Sequence, residues 1–190
     1  MAQKGSSYER QLCKDLSNWW TCGSDDSCFW RTAGSGGRAT NRAKKGRRTT
    51  GACGDIAATC ADGEPLLAAF AIEAKRGYNR LSLHDLLDSK PGGKDTDCMV
   101  NWLAQAERSR QQSGAVYWLL LWRRDTKASL AVMPSPAYEL LRSLGAFDPA
   151  PCPLSWVGDD DRSLVAIRLD DFLGGVTRQH VLQLLKESGR

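Results

Sequence analysis

The chain has 190 residues, 42% of them hydrophobic, and its 26 Lys and Arg exceed its 22 Asp and Glu for a formal net charge of +4. That length suits one domain with a sizeable core, and the composition excludes wholesale disorder and collagen-like structure. No run of about 18 apolar residues is present to span a bilayer, and the polar start Met1-Ala2-Gln3-Lys4-Gly5-Ser6 is unlike a secretory signal, so a cytoplasmic protein is expected.

Ser6 or Ser7 is placed to cap a helix with Glu9 and Arg10 in its first turn, and Leu12, Cys13, Leu16, Trp19 and Trp20 follow at helical spacing. Gly23-Ser24-Asp25-Asp26 ends that helix, and residues 28–32 read as a short strand. Residues 34–53 then form a long loop that opens with Gly34-Ser35-Gly36-Gly37. From Arg31 onward, Arg38, Arg42, Lys44, Lys45, Arg47 and Arg48 follow without an intervening acid. Residues 1–54 carry ten basic and four acidic side chains, against sixteen and eighteen in 55–190. Such a run is either a polyanion-binding segment or a solvated basic loop.

Residues 55–61 read as a strand, Asp62-Gly63-Glu64-Pro65 as a turn, and residues 66–75 as a second, buried strand. This predicts a hairpin in which Asp55 and Glu73 are cross-strand neighbours. Ser82-Leu83-His84-Asp85 resembles a helix start, broken by Pro91-Gly92-Gly93. A helix over 100–112 ends at Gly114, and residues 115–122 form the strongest strand pattern in the chain. Residues 128–133 make a further strand, and Ser135-Pro136 caps a helix to Leu144. A Pro149/Pro151/Pro153 connector, a strand over 164–169 and a helix over 177–186 complete the order. It describes a mixed sheet with helices on both sides. Residues 1–133 are expected to form the core, with 134–190 an extension packed on the same domain.

Seven cysteines at irregular positions do not suggest a disulfide framework. Buried or half-buried free thiols are expected, with Cys22/Cys28 or Cys53/Cys60 as the pairs that would have to meet at a metal. The tryptophans 19, 20, 30, 102, 118 and 122 read mostly as core by their spacing.

Three local features carry chemistry jointly. Gly54-Asp55 places an acid at a strand start, Glu73-Ala74-Lys75 puts an acid and a lysine on one strand face, and Glu9 lies in the N-terminal helix. Converging carboxylates form an all-oxygen site suited to Mg²⁺ or Mn²⁺ rather than zinc. A lysine beside such a cation favours an attacking hydroxide and the charge of a pentavalent phosphorus. The chemistry is phosphodiester hydrolysis, with the basic segment holding the backbone.

In this order, Glu9, Asp55 and Glu73-Ala74-Lys75 resemble the signature of the PD-(D/E)XK nuclease superfamily, with Gly54 where the name has proline. The start Lys4-Gly5-x-x-x-Glu9-Arg10 and the segment Arg31-Thr32-Ala33-Gly34-Ser35-Gly36 are similar to archaeal-type Holliday junction resolvases. The combination also resembles phage endonuclease-like proteins. The resemblance runs from about residue 4 to residue 122 and implies a restriction-endonuclease-like α/β fold, a mixed sheet flanked by helices.

It further implies that Asp55, Glu73 and the Ala74 carbonyl bind Mg²⁺, with Mn²⁺ able to substitute. Lys75 would position or deprotonate water, Glu9 would orient a metal-bound water or a second ion, and Gln105 would lie near the site. Cleavage would leave a 5′-phosphate and a 3′-hydroxyl. Lys4, Arg10, Arg31, Ser35, Arg38, Arg42, Lys44, Lys45, Arg47, Arg48 and Arg76 are the expected DNA contacts. A structure-selective DNA endonuclease acting as a homodimer is the resulting expectation. A sequence-specific or flap- or nick-directed nuclease, and a non-catalytic nucleic-acid-binding protein, are the alternatives.

Overall fold

The computed structural model describes residues 2–32, 54–85, 94–157 and 163–189. Helix α1 (Ala2–Trp20) leads into β1 (Phe29–Arg31). Next come β2 (Ile56–Ala58), a 3₁₀ turn (Ala61–Gly63), α2 (Glu64–Ala69) and β3 (Phe70–Arg76). Helix α3 (Lys94–Ser113) precedes β4 (Tyr117–Arg123), β5 (Ser129–Pro134) and α4 (Ser135–Ser143). The order ends with β6 (Leu154–Val157), β7 (Ser163–Arg168), α5 (Leu169–Gly175) and α6 (Arg178–Glu187).

Five strands form one mixed sheet in the order β3-β4-β5-β7-β6. Only the β3–β4 pair is parallel, and α3 makes the crossover that a parallel connection requires. The remaining neighbours are antiparallel. Alternation on β3 and β4 divides the core between the two faces. Phe70, Ile72, Leu119 and Leu121 pack beneath α1, α2, α4, α5 and α6, while Ala71, Trp118, Leu120 and Trp122 meet Met99, Trp102, Leu103 and Ala106 of α3. Glu73 and Lys75 share the parity of Ala71, so they project toward α3.

The predicted hairpin is absent. β2 pairs with β1, with Trp30 opposite Ala57, while β3 pairs with β4. Residues 64–69 are helical because Pro65 stands at its favoured position in a first helical turn, and Leu66, Leu67 and Ala69 gain a buried face. Only from Phe70 does the apolar run become extended. Asp55 still reaches β3, by another route described below.

Other expectations shift. α1 starts at Ala2, so Ser6 and Ser7 lie inside it and are not caps. α3 starts six residues before the expected 100. Pro134, not Ser135, holds the N-cap position of α4, with no side-chain cap. β6 and α5 were not anticipated, the first because proline surrounds it and the second because Gly174-Gly175 follows so soon after its start. Trp30 is 61% exposed rather than core. The C-terminal segment is tied to the front of the molecule: α6 packs on α2, and Arg178 Nη1 donates to Asp62 Oδ2 at 2.9 Å while its guanidinium lies 5.1 Å from the Trp20 ring centre.

Candidate active site

β3 is the edge strand of the five-stranded sheet, and its outer backbone groups need partners. Asp55 supplies two of them. Asp55 N–H donates to Ile72 O at 2.8 Å, and Asp55 Oδ2 accepts from Ala74 N–H at 2.9 Å. The carboxylate thus satisfies the strand edge where a further strand residue otherwise would.

The close approach depends on Gly54, whose φ is 99°. A Cβ there would stand 2.5 Å from Ile72 O. Proline, fixed near −65°, cannot adopt that backbone, which accounts for glycine at this position.

Asp55 and Glu73 are both buried, 4% and 1% exposed. Burial drives the Glu73 carboxyl above its usual range, and the neighbouring Asp55 charge raises it further. Three groups of the α3-facing side offset that cost. Ser109 Oγ–H donates to Glu73 Oε1 at 2.6 Å, and Gln105 Nε2–H donates to Glu73 Oε2 at 2.6 Å. Lys75 Nζ donates to Gln105 Oε1 at 3.0 Å and stands 3.6 Å from Glu73 Oε2. Gln105 therefore joins the acid to the lysine. Gln105 and Ser109 lie four residues apart on α3 and so share a face.

The sequence singled out Gln105 but not Ser109. Its spacing from Gln105 was visible, yet nothing in the sequence set the rotation of α3 that distinguishes Ser109 from its polar neighbours Glu107, Arg108 and Gln112.

Glu9 is placed differently. Its Oε2 accepts from Arg31 Nε at 3.0 Å, and Arg31 Nη1 donates to Ser6 Oγ at 2.9 Å. Arg31 stands opposite Ile56 on the β1–β2 ribbon, next to Asp55, so Glu9 is linked to the site through a cation. Among the described residues no three His, Cys, Asp or Glu side chains gather as a metal cage. The adjacent acids are two, Asp55 and Glu73.

Arg10 and Arg76 also bond to the start of α1. Arg10 Nε donates to Ser6 O at 3.1 Å, and Arg76 Nη1 donates to Ser7 Oγ at 3.3 Å. Lys4 lies in the first turns of the same helix. Ser35, Arg38, Arg42, Lys44, Lys45, Arg47 and Arg48 lie outside the described residues, as does Cys53.

Cys13, Cys22, Cys28, Cys60, Cys98 and Cys152 are free thiols, with Cys28 and Cys60 Sγ atoms 3.8 Å apart. His180 caps α6: Thr177 N–H donates to its Nδ1 at 3.2 Å while its own N–H donates to Thr177 Oγ1.

The donor set of Asp55 and Glu73 fits a hard divalent cation. Both are oxygen ligands and both are buried, with Lys75 Nζ 3.6 Å from Glu73 Oε2 as the cation beside them.

No curated protein and no solved structure shows a significant match to the chain. A family model described as "phage putative PDDEXK endonuclease" matches residues 1–181, so nearly the whole chain is covered. With Asp55, Glu73 and Lys75 collected at one end of β3, the chain belongs to this phage PDDEXK endonuclease family, within the PD-(D/E)XK nuclease superfamily.

Proposed function

We propose that the chain is a Mg²⁺-dependent DNA endonuclease, structure-selective in the manner of a Holliday junction resolvase, with Mn²⁺ able to replace Mg²⁺. The observation that carries this reading is the buried Asp55–Glu73 pair with Lys75 held beside it by Gln105. Asp55, Glu73 and the Ala74 carbonyl would hold the cation, which when bound supplies Lewis acidity toward the phosphate and acidifies water.

The chain's own groups do the rest. Lys75 directs its ammonium toward the attacking water and the charge that builds on the phosphorus oxygens. Gln105 fixes the lysine and Ser109 fixes the acid, so the geometry exists before substrate arrives. Water oxygen bonds to phosphorus, the phosphorus–3′-oxygen bond breaks, and a proton ends on the 3′-oxygen. A 5′-phosphate and a 3′-hydroxyl result. Arg31 keeps Glu9 in place next to the ribbon that carries Asp55, and from there Glu9 would orient water or help hold a second cation.

Arg31 to Arg48, with Lys4, Arg10 and Arg76, would hold the DNA backbone. Two symmetric cuts across a junction need two sites, which a homodimer supplies. Bacterial cytoplasm during phage infection is the setting this reading implies.

A cleavage panel tests it. The full chain with Mg²⁺ or Mn²⁺ is presented with a four-way junction, a flap, a nicked duplex and a linear duplex. Paired symmetric cuts in the junction, at rates above those for linear duplex, support the proposal. Failure to cut any of them with either cation overturns it.

A further inference from the structure

Beyond Lys75 and Arg76, the chain leaves β3 through Gly77 (φ 89°) and Tyr78 (φ 55°). Two successive left-handed residues turn it sharply. Glycine accepts this freely, but a tyrosine Cβ crowds its own backbone there. The ring that this strain positions is 53% exposed. Burial of the tyrosine itself therefore does not account for the conformation, and strained residues of this kind gather at ligand clamps.

The ring is nonetheless fixed. It meets Trp102 edge to face, with centroids 4.7 Å apart and planes at 76°. Trp102 in turn meets Trp122 at 5.7 Å, and the Arg124 guanidinium lies 5.8 Å from the Trp122 ring centre. Backbone bonds close the turn on both sides, from Gly77 N–H to Arg123 O at 3.0 Å and from Leu81 N–H to Tyr78 O at 2.9 Å. A perpendicular contact on a buried tryptophan holds the tyrosine while leaving aromatic surface open to solvent.

Its location relates it to the catalytic groups. Trp102 precedes Gln105 by three residues on α3, about 4.5 Å along the axis at ~1.5 Å per residue. Gln105 bonds both Glu73 and Lys75. Tyr78 also follows Lys75 by only three residues, at most about 11 Å of extended chain. Bases along a strand are spaced by about 3.4 Å when stacked, so Tyr78 stands within a few nucleotides of the acid–lysine pair.

We propose that Tyr78 is a stacking platform for an unpaired base within a few nucleotides of the cut phosphate, and that the substrate is therefore DNA with a frayed, branched or single-stranded segment there. The inference rests on the nuclease reading and narrows its substrate class. Inside continuous duplex each base is covered by its neighbours on both sides, so the platform engages only where pairing is interrupted.

The test measures binding of the full chain, in Ca²⁺ to hold cleavage back, to a blunt duplex oligonucleotide and to the same duplex with splayed, non-complementary ends. Wild type is expected to prefer the splayed form. Tyr78→Asn, chosen because asparagine tolerates left-handed backbone, should lose about tenfold in affinity for the splayed form and nothing for the blunt one. Tyr78→Phe should bind as wild type does. A fluorescent base analogue in the splayed arm should be quenched by wild type, which tests the same contact without any substitution.

Equal wild-type affinity for both forms, an unquenched analogue, or a Tyr78→Asn loss shared by both forms overturns the platform. Any of these with DNA still cut in Mg²⁺ leaves the nuclease reading standing. Absence of both binding and cutting overturns that reading as well.

Discussion

Glu73 is the more deeply buried of the two acids at the candidate site. A carboxyl raised by burial and by Asp55 stays protonated in the folded chain at pH values where the unfolded chain has released its proton. Between the ordinary glutamate value and the raised one, the unfolded state binds fewer protons. Stability of the cation-free protein should therefore fall as pH rises through that window, and Glu73→Gln should remove most of the slope. Thermal melts between mildly acidic and mildly alkaline pH check this, and a flat wild-type profile would refute it. Mg²⁺ should raise the melting temperature most at the alkaline end, where the Glu73 carboxyl has lost its proton.

Ser109 acts through Glu73. Its hydroxyl is 2.6 Å from Glu73 Oε1 inside the protein, so Ser109→Ala leaves a buried carboxylate oxygen without that donor. Groups that orient ligands in this way typically change cation affinity or activity by about 10–100-fold. Ser109→Ala is expected to weaken the apparent Mg²⁺ affinity within that range, with saturating Mg²⁺ restoring most of the rate. A rate loss that no concentration of Mg²⁺ recovers would assign Ser109 to packing alone.

At the scale of elements, the site depends on Gly54-Asp55 completing the open edge of β3. Gly54→Ala forces a Cβ to within 2.5 Å of Ile72 O at a φ of 99°. Strain and displacement together should cost on the order of 3 kcal/mol and move Asp55 away from Ala74 N–H. Chemical denaturation and Mg²⁺ titration of this variant measure the two effects. Unchanged stability and cation affinity would show that the edge contact is not needed.

What the sequence made legible follows from how local each signal was. β4 was readable as an unbroken apolar run because a strand covered on both faces needs one. That Asp55, Glu73 and Lys75 lie together was readable from their residue types and order, and Gln105 beside them from the family resemblance. α2 was missed because Leu66, Leu67, Ala68, Ala69 and Phe70 are apolar in helix and strand alike, and only the tertiary setting decides where one becomes the other. For the same reason the hairpin that brought Asp55 to Glu73 was wrong although their proximity was right. Asp55 approaches along an open edge created by the β3–β4 pairing, a contact that no short segment encodes.

Across the whole molecule, the two core clusters serve one purpose at β3. Phe70 and Ile72 anchor it on one face, and α3 delivers Gln105 and Ser109 to the other. The basic excess falls in the connection between β1 and β2, whose ends carry Arg31 and Asp55. On the proposed function, this segment is the one that would hold the DNA backbone. Neutralising Arg42, Lys44, Lys45, Arg47 and Arg48 together should weaken DNA binding and flatten its salt dependence, by a slope of about 0.9 for each phosphate contact removed. Binding isotherms at several salt concentrations test it, and an unaltered slope would make the segment a solvated surface.

The most direct measurement compares wild type with Glu73→Gln in DNA cleavage with Mg²⁺, while DNA binding by both is followed in parallel. The isostere keeps the shape of the site and removes the charge that a cation needs. Cleavage by wild type, its loss in Glu73→Gln and undiminished binding by the variant are the predicted result. Equal cleavage by the two proteins would contradict a catalytic centre at Asp55, Glu73 and Lys75.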